Sequence, residues 1–495
     1  MTHQRHIAII IAVLAALLSA FTGQALAQPG VDARIEDRAI IHVRPEATIA
    51  QFIAAFEANN PTVGVAVLDS IDSRAMYFLD VSLPPDPDEP FLDQIENDLE
   101  AGYTGLIFSG EFLYENESPE GKTGSIFTDS ISMPNYRAQY GLDQIGISFG
   151  RTSAHDDSTG AGVVIAVLDT GVDASHPELA GRVLPGLDLI DHDANPADVG
   201  NMADDDGDGL IDEMTGHGTF VAGILRLVAP DAKLLPIRVL NSDGVGDGWT
   251  LTKGMYEAID RGVEVINLSL GSTYDTATVE LAVAEAAALG IPVFASAGNF
   301  NRSEPREYQA MGEGLGVAAT DWNGVKATFS NYSERLFISA PGDAGANPDD
   351  PSTTIVSTLP DGDYGSWEGT SFATPFVSGT AALIRAKHPD WEADFDAYVQ
   401  MTTILAASAV DIYPLNPQYA DEEELGVGRL DAFAAVQLGP SAPALGDLNA
   451  DGVVDSSDLF SLLSDWSLVH SSADLDGDGV VDTGDLFILL GNWTG

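Results

Sequence analysis

Four short blocks of this 495-residue chain carry side chains that could cooperate in acyl transfer. Asp169 closes the apolar run Val164–Leu168 and precedes Thr170 and Gly171. His217 stands between Gly216 and Gly218 at the head of another apolar stretch. Asn299 follows Ser296, Ala297 and Gly298, and Ser371 follows Gly369 and Thr370 ahead of small and apolar residues that run to Ala386. Each alone has a plain structural reading as a turn residue or helix cap. Together they supply a hydroxyl nucleophile, an imidazole base, a carboxylate to orient that base, and an amide to receive an oxyanion. The chain order Asp, His, Ser is one in which this constellation occurs.

Such residues need a scaffold that gathers them from distant parts of the chain. Val163–Leu168, Leu234–Val239, Val263–Leu268 and Ile291–Ala295 read as short buried strands, and residues 250–261, 276–289 and 371–388 have helical length and spacing. The alternation predicts an α/β fold, a mostly parallel sheet with helices on both faces, closed by a helix over Leu430–Gln437. Strand ends are where such folds place their sites. Ahead of it, residues 36–115 read as an independent unit. Its strands are Arg38–Val43, Val63–Leu68, Ala75–Val81 and Gly105–Tyr114, and its helices Thr48–Ala58 and Phe91–Glu100. The order β-α-β-β-α-β is the ferredoxin-like pattern. A polar stretch from Glu115 to Ser132 marks the boundary, and Pro440–Pro443 is a stiff linker.

Composition sets the compartment. Arg5 precedes the apolar run Ile7–Phe21, and Ala25-Leu26-Ala27 fits a cleavage site before Gln28, so residues 1–27 read as a signal peptide. No stretch is long enough for a membrane span of about 20 apolar residues. The product is expected to be secreted, extracellular or attached at a cell surface. It has no cysteine, so stability must come from packing, bound ions or slow unfolding. The 21 Lys and Arg against 76 Asp and Glu give a net charge of −55, which excludes nucleic acid and anionic membranes as partners.

Some of those acids are spaced to wrap a cation. Asp204, Asp206, Asp208 and Asp212 occupy positions 1, 3, 5 and 9 of a calcium-type loop with Gly209 at position 6, and Thr215 stands where position 12 would carry an acid. In the tail, Asp447, Asn449, Asp451, Asp455 and Asp458 take positions 1, 3, 5, 9 and 12. Asp474, Asp476, Asp478, Asp482 and Asp485 repeat them after 474 − 447 = 27 residues. Each tail loop opens an apolar helix. Structural calcium is the expected cofactor.

With these motifs in hand, residues 136–438 resemble the subtilisin-like serine proteases. Asp-Thr-Gly at 169–171, His-Gly-Thr at 217–219, Ser-Ala-Gly-Asn at 296–299 and Gly-Thr-Ser-x-Ala-x-Pro at 369–375 carry the likeness, with support from Val265–Gly271, Ala340–Gly342 and Gly426–Leu430. The resemblance implies a serine endopeptidase acting on proteins or peptides, with Ser371 as nucleophile, His217 as base, Asp169 as its orienter and Asn299 as oxyanion donor. It implies that Gly244, Gly246, Ser269, Leu270 and Gly271 belong to two edge segments that sandwich a substrate strand. Phe220 departs from the family, where a second histidine is common; the change is read as packing. The N-terminal unit, residues 28–132, resembles the family's propeptide, with cleavage expected between Tyr114 and Asn135. The peptidase domain would then cover 133–439 and the linker 440–444. The repeat at 445–495 resembles a dockerin module, which implies a cohesin-like docking partner. The alternative is a catalytically inactive surface interaction protein that uses only its calcium-binding tail.

Overall fold

A computed structural model describes residues 34–438, save 85–86, 88, 102, 104, 119–126, 129–132, 148–151, 273–275, 304–313, 346, 348–349 and 421–422. In the tail it describes Val454, Leu462, Leu475, Val481, Asp485, Ile488 and Leu489. The expected signal peptide and linker lie outside the described residues.

The N-terminal unit runs β1 (Arg34–Val43), α1 (Ile49–Asn59), β2 (Gly64–Ile71), β3 (Met76–Ser82), α2 (Glu89–Ala101) and β4 (Ile107–Glu117). Its antiparallel strands lie in the order β4-β1-β3-β2, so the ferredoxin-like pattern is present. Alternation along β1 explains the packing. Ala39, Ile41 and Val43 face Phe52 and Phe56 of α1 and Ile95 and Leu99 of α2. Ile40, one residue out of phase, joins a different core with Met76 and Leu113.

After the short strand β5 (Phe127–Thr128), the chain builds the main sheet. Its strands are β6 (Val164–Asp169), β7 (Leu187–Asp188), β8 (Lys233–Arg238), β10 (Val265–Leu268), β12 (Val293–Ser296), β13 (Leu315–Thr320) and β14 (Ile338–Pro341). They lie in the order β14-β13-β12-β10-β6-β8-β7, every pairing parallel. Strands buried on both sides read as continuous apolar runs, which is why the sequence showed β6, β8, β10 and β12. Ile165 and Val167 of β6 point to one core, Ala166 and Leu168 to the other. Helices α3 (His217–Val228), α6 (Thr370–Lys387), α7 (Phe395–Ser408) and α8 (Ala432–Gln437) cover the first face, and α4 (Gly248–Asp260) and α5 (Ala277–Ala288) the second. Strands β15 (Val356–Leu359) and β16 (Asp363–Trp367) form a small sheet with β5. Gly379 lets α6 meet α3 closely, since a Cβ there would fall 2.7 Å from Val228 Cβ.

The N-terminal unit sits on α4 and α5. Arg74 reaches Asp260 at 2.7 and 2.8 Å and Glu285 at 2.8 Å. Phe78 stacks on Trp249 with ring centroids 5.5 Å apart. The Glu111 carboxylate accepts from Ala277 N at 2.8 Å and Thr278 N at 3.1 Å. These are free donors at the head of α5, where negative charge is favoured. Two short edge strands, β9 (Val245–Asp247) and β11 (Gly271–Ser272), belong to neither the main sheet nor the small one. Among the described residues no helix is long and apolar enough to cross a membrane.

Candidate active site

Asp169 is the last residue of β6 and His217 the first of α3, and the fold brings them together. His217 Nδ1 lies 2.7 Å from Asp169 Oδ1, both side chains fully buried. An ionised carboxylate only accepts, so Nδ1 carries the proton and Nε2 is the basic nitrogen. The approach depends on Gly218, where a Cβ would lie 2.1 Å from Gly171 O and 3.0 Å from Asp169 Oδ1. On its other side the imidazole meets aromatic rings: Trp367 edge-on at 5.6 Å and Phe372 at 5.2 Å. Phe220 backs both, 4.6 Å from Phe372 and 6.0 Å from Trp367, so it serves the packing.

Ser371 is the second residue of α6, beside Phe372. Pro375 four residues on has no N–H to give the Ser371 carbonyl, and Ser269 Oγ donates to that carbonyl instead at 2.7 Å. The link continues into the core, with Asn267 Nδ2 donating to Ser269 Oγ at 3.0 Å and Ser378 Oγ to Asn267 Oδ1 at 2.8 Å. The Ser371 hydroxyl donates to Ser269 O at 3.1 Å. Asn299 is fixed on the same turn. Its Oδ1 accepts from Thr370 N and Thr370 Oγ1, both at 2.9 Å, while that hydroxyl accepts from Gly298 N at 3.0 Å. With its oxygen so held, the carboxamide turns its NH2 group the opposite way. Replacing Asn299 with Ala is expected to lower kcat about 10²–10³-fold with KM little changed, measured on a peptide amide.

The edge segments are occupied by the chain itself. In β4, Glu115, Asn116 and Glu117 pair antiparallel with Asp247, Gly246 and Val245 of β9. Glu117 and Asn116 also pair with Gly271 and Ser272 of β11. Ser118 N donates to Gly244 O at 2.8 Å, and Ser118 Oγ lies 3.3 Å from His217 Nε2. Gly244, Gly246 and Gly271 thus hold an extended strand, whereas Leu270 is buried in the core and Ser269 braces Ser371. The sequence reading ended this strand at Tyr114 and missed Ser118, because Glu115–Ser118 has no apolar alternation. Trp367 and Phe372 also went unremarked.

The acidic loop is split. Carboxylate oxygens of Asp204, Asp206 and Asp208 converge within 4.8 Å. Asp212 turns away, accepting from Asn201 N at 2.7 Å and Met202 N at 2.9 Å. Glu213, which the motif did not single out, has both carboxylate oxygens out of water and without a hydrogen-bond partner among the described residues. Burial pushes it up to about 7, helped by Asp243, Asp208 and Asp206. Hard oxygen donors of this kind suit calcium. In the tail, Asp485 is buried and accepts from Leu475 N at 2.5 Å. The other tail positions, Asp447, Asn449, Asp451, Asp455, Asp458, Asp474, Asp476, Asp478 and Asp482, lie outside the described residues.

Comparison with known proteins follows the same lines. The sequence profile of the subtilase family, peptidase family S8, matches residues 160–431. Thermitase from Thermoactinomyces vulgaris is 36% identical over 249 residues, 50% of this chain and 82% of that protein. Subtilisin BL from Lederbergia lenta is 37% identical over 242 residues, 47% of this chain and 80% of that protein. Among solved structures, fervidolysin from Fervidobacterium pennivorans, a keratinolytic enzyme related to subtilisin, aligns with a TM-score of 0.62 at 21% identity. That alignment covers 84% of this chain and 63% of fervidolysin, and it is a likeness of fold.

Proposed function

This chain belongs to the subtilase family and is a serine-type endopeptidase, and on that premise we propose that it is made as a self-masked precursor, exported, and docked through its tail. The seat of β4 carries this reading. The strand fills the groove between β9 and β11, and Ser118 reaches the base. Residues 28–132 then act as a propeptide, and the activating cut falls beyond Ser118. A parallel sheet built from distant strands folds slowly, so a template docked on α4 and α5 aids folding as well as masking.

In the mature enzyme a substrate strand replaces β4 and gains affinity from backbone pairing to β9 and β11, which asks little of its side chains. Ser371 Oγ attacks the scissile carbonyl as His217 Nε2 takes its proton. The tetrahedral oxyanion is met by the Asn299 amide and the Ser371 N–H at the head of α6. Collapse expels the amine, protonated by His217, and leaves the acyl group on Ser371. Water, deprotonated by His217, then releases the acid. Asp169 keeps the imidazole in the working tautomer throughout. Expression of wild type beside Ser371→Ala, with release of the N-terminal unit and casein hydrolysis followed together, tests the reading. Equal behaviour of the two chains would end it.

Calcium would be held by Asp204, Asp206 and Asp208, supplying charge neutralisation and stiffness to the loop that leads into His217. The tail is read as a dockerin-like module with calcium at each loop, docking on a cohesin-like partner at the cell surface or outside the cell. Val454 and Val481 share 481 − 454 = 27, as Leu462 and Leu489 share 489 − 462 = 27, and the four are buried together. That supports two copies of one loop–helix unit packed on each other. A chelator is expected to lower the melting temperature by about 5–10 °C, the size for a ligand bound near 100 times its Kd. An unmoved melting temperature would remove the calcium reading.

A further inference from the structure

We propose that Asp198 is a positioning residue for the catalytic pair, one carboxylate that clamps the Asp169 turn to the head of the His217 helix. It lies in the loop between β7 and α3, is 2% exposed, and has no counterpart in the triad scheme. Its Oδ1 accepts from Gly216 N at 2.8 Å and Thr170 Oγ1 at 3.1 Å. Its Oδ2 accepts from Thr219 N at 2.9 Å and Thr219 Oγ1 at 2.6 Å. Thr170 adjoins Asp169, and Gly216 and Thr219 flank His217.

The direction of each bond follows from what the hydroxyls already accept. Thr170 Oγ1 accepts from Gly218 N and Thr219 Oγ1 from Asp173 N, both at 3.0 Å, so both hydroxyl protons are directed at Asp198. Four donors on two oxygens call for the ionised acid. Burial and the charge of Asp169 push its pKa up, and the contacts from Thr219 and Gly216 oppose them. Because Gly216 as N-cap offers no side chain, Asp198 stands in for it and completes the capping of α3. The clamp fixes the two polypeptide segments whose separation sets the 2.7 Å contact between His217 and Asp169. A second buried charge behind Asp169 also favours the imidazolium form of His217.

The test is Asp198→Asn in the full chain, assayed after self-processing and normalised by active-site titration with a serine-directed phosphonylating reagent. An amide must aim two N–H groups at donors, so the clamp loosens while the volume is kept. We expect kcat to fall about 10–100-fold at unchanged KM, the scale of a small misplacement of a reacting group. The acid limb of kcat/KM should move down by about 0.5–1 pH unit, since a nearby negative charge that held the imidazolium has gone. The other charged groups facing Asp198 are retained: Asp169 from β6, Asp173 in the turn after it, and Asp361 across a cavity shared with Thr215 and Pro360. An acid limb that stays in place, or a loss confined to KM or to the number of titratable sites, overturns the proposal. Should Asp198→Asn not fold, Thr170→Val keeps both carboxylates and cuts one arm. A kcat about ten-fold lower with the acid limb in place is then expected, and a wild-type kcat overturns it.

Discussion

The Ser371→Ala chain is expected to hydrolyse casein about 10⁶-fold more slowly than wild type and to remain uncut beyond Ser118, the size of effect found when a subtilisin loses its nucleophile. The substitution removes one hydroxyl, which donates to Ser269 O at 3.1 Å. The backbone anchors remain, from Ser269 Oγ to the residue-371 carbonyl and from Thr370 to Asn299. The fold should therefore be intact, which a matching melting temperature would verify. Ser118 offers a second hydroxyl 3.3 Å from His217 Nε2. It sits, however, on the strand that fills the groove between β9 and β11. Intact mass after incubation reads the outcome. Self-cleavage that survives Ser371→Ala and disappears in Ser118→Ala would move the nucleophile to Ser118.

Replacing Asp169 with Asn should lower kcat about 10⁴-fold, or about 5.5 kcal/mol of transition-state stabilisation at 1.36 kcal/mol per factor of ten. The imidazolium formed during attack is fully buried, and Asp169 Oδ1 at 2.7 Å is the carboxylate that neutralises it. A neutral amide returns little of that attraction in a fully buried site. It can also turn its NH2 toward Nδ1 and so favour the tautomer in which Nε2 carries the proton. Thr170 N, which donates to Asp169 Oδ1 at 2.7 Å, would keep one partner and hold the turn. The expected signature is therefore a kcat loss with binding retained. A kcat within ten-fold of wild type would show that the pair is structural.

The parts of this enzyme visible in its sequence are those whose cause is local. Strand β6 could be read because it is buried on both faces and so apolar throughout, and Asp169 because a charge at the end of such a run is conspicuous. The helix that carries Ser371 announces itself through the small residues that allow close approach to α3. What escaped notice has its cause elsewhere in the chain. Glu115–Glu117 form a strand only because β9 and β11, more than 120 residues away, supply partners, and nothing in their own side chains asks for one. Asp198 reads as an ordinary loop acid between Pro196 and Gly200 until the fold closes four donors around it. Asp212 fits the spacing of a cation loop, yet two backbone amides claim its carboxylate.

The placement of β4 has a consequence for when this protease would work. While the chain is whole, the masking strand is tethered to its groove and its effective concentration is in the millimolar range. A cut beyond Ser118 leaves the same contacts, from the groove to Arg74 on Asp260, but makes their renewal a meeting of two separate bodies. Crowded at the point of synthesis, cut molecules would stay quiet; spread into a large volume, they would wake. On the proposed reading of the N-terminal unit as a propeptide, dilution itself would be the trigger.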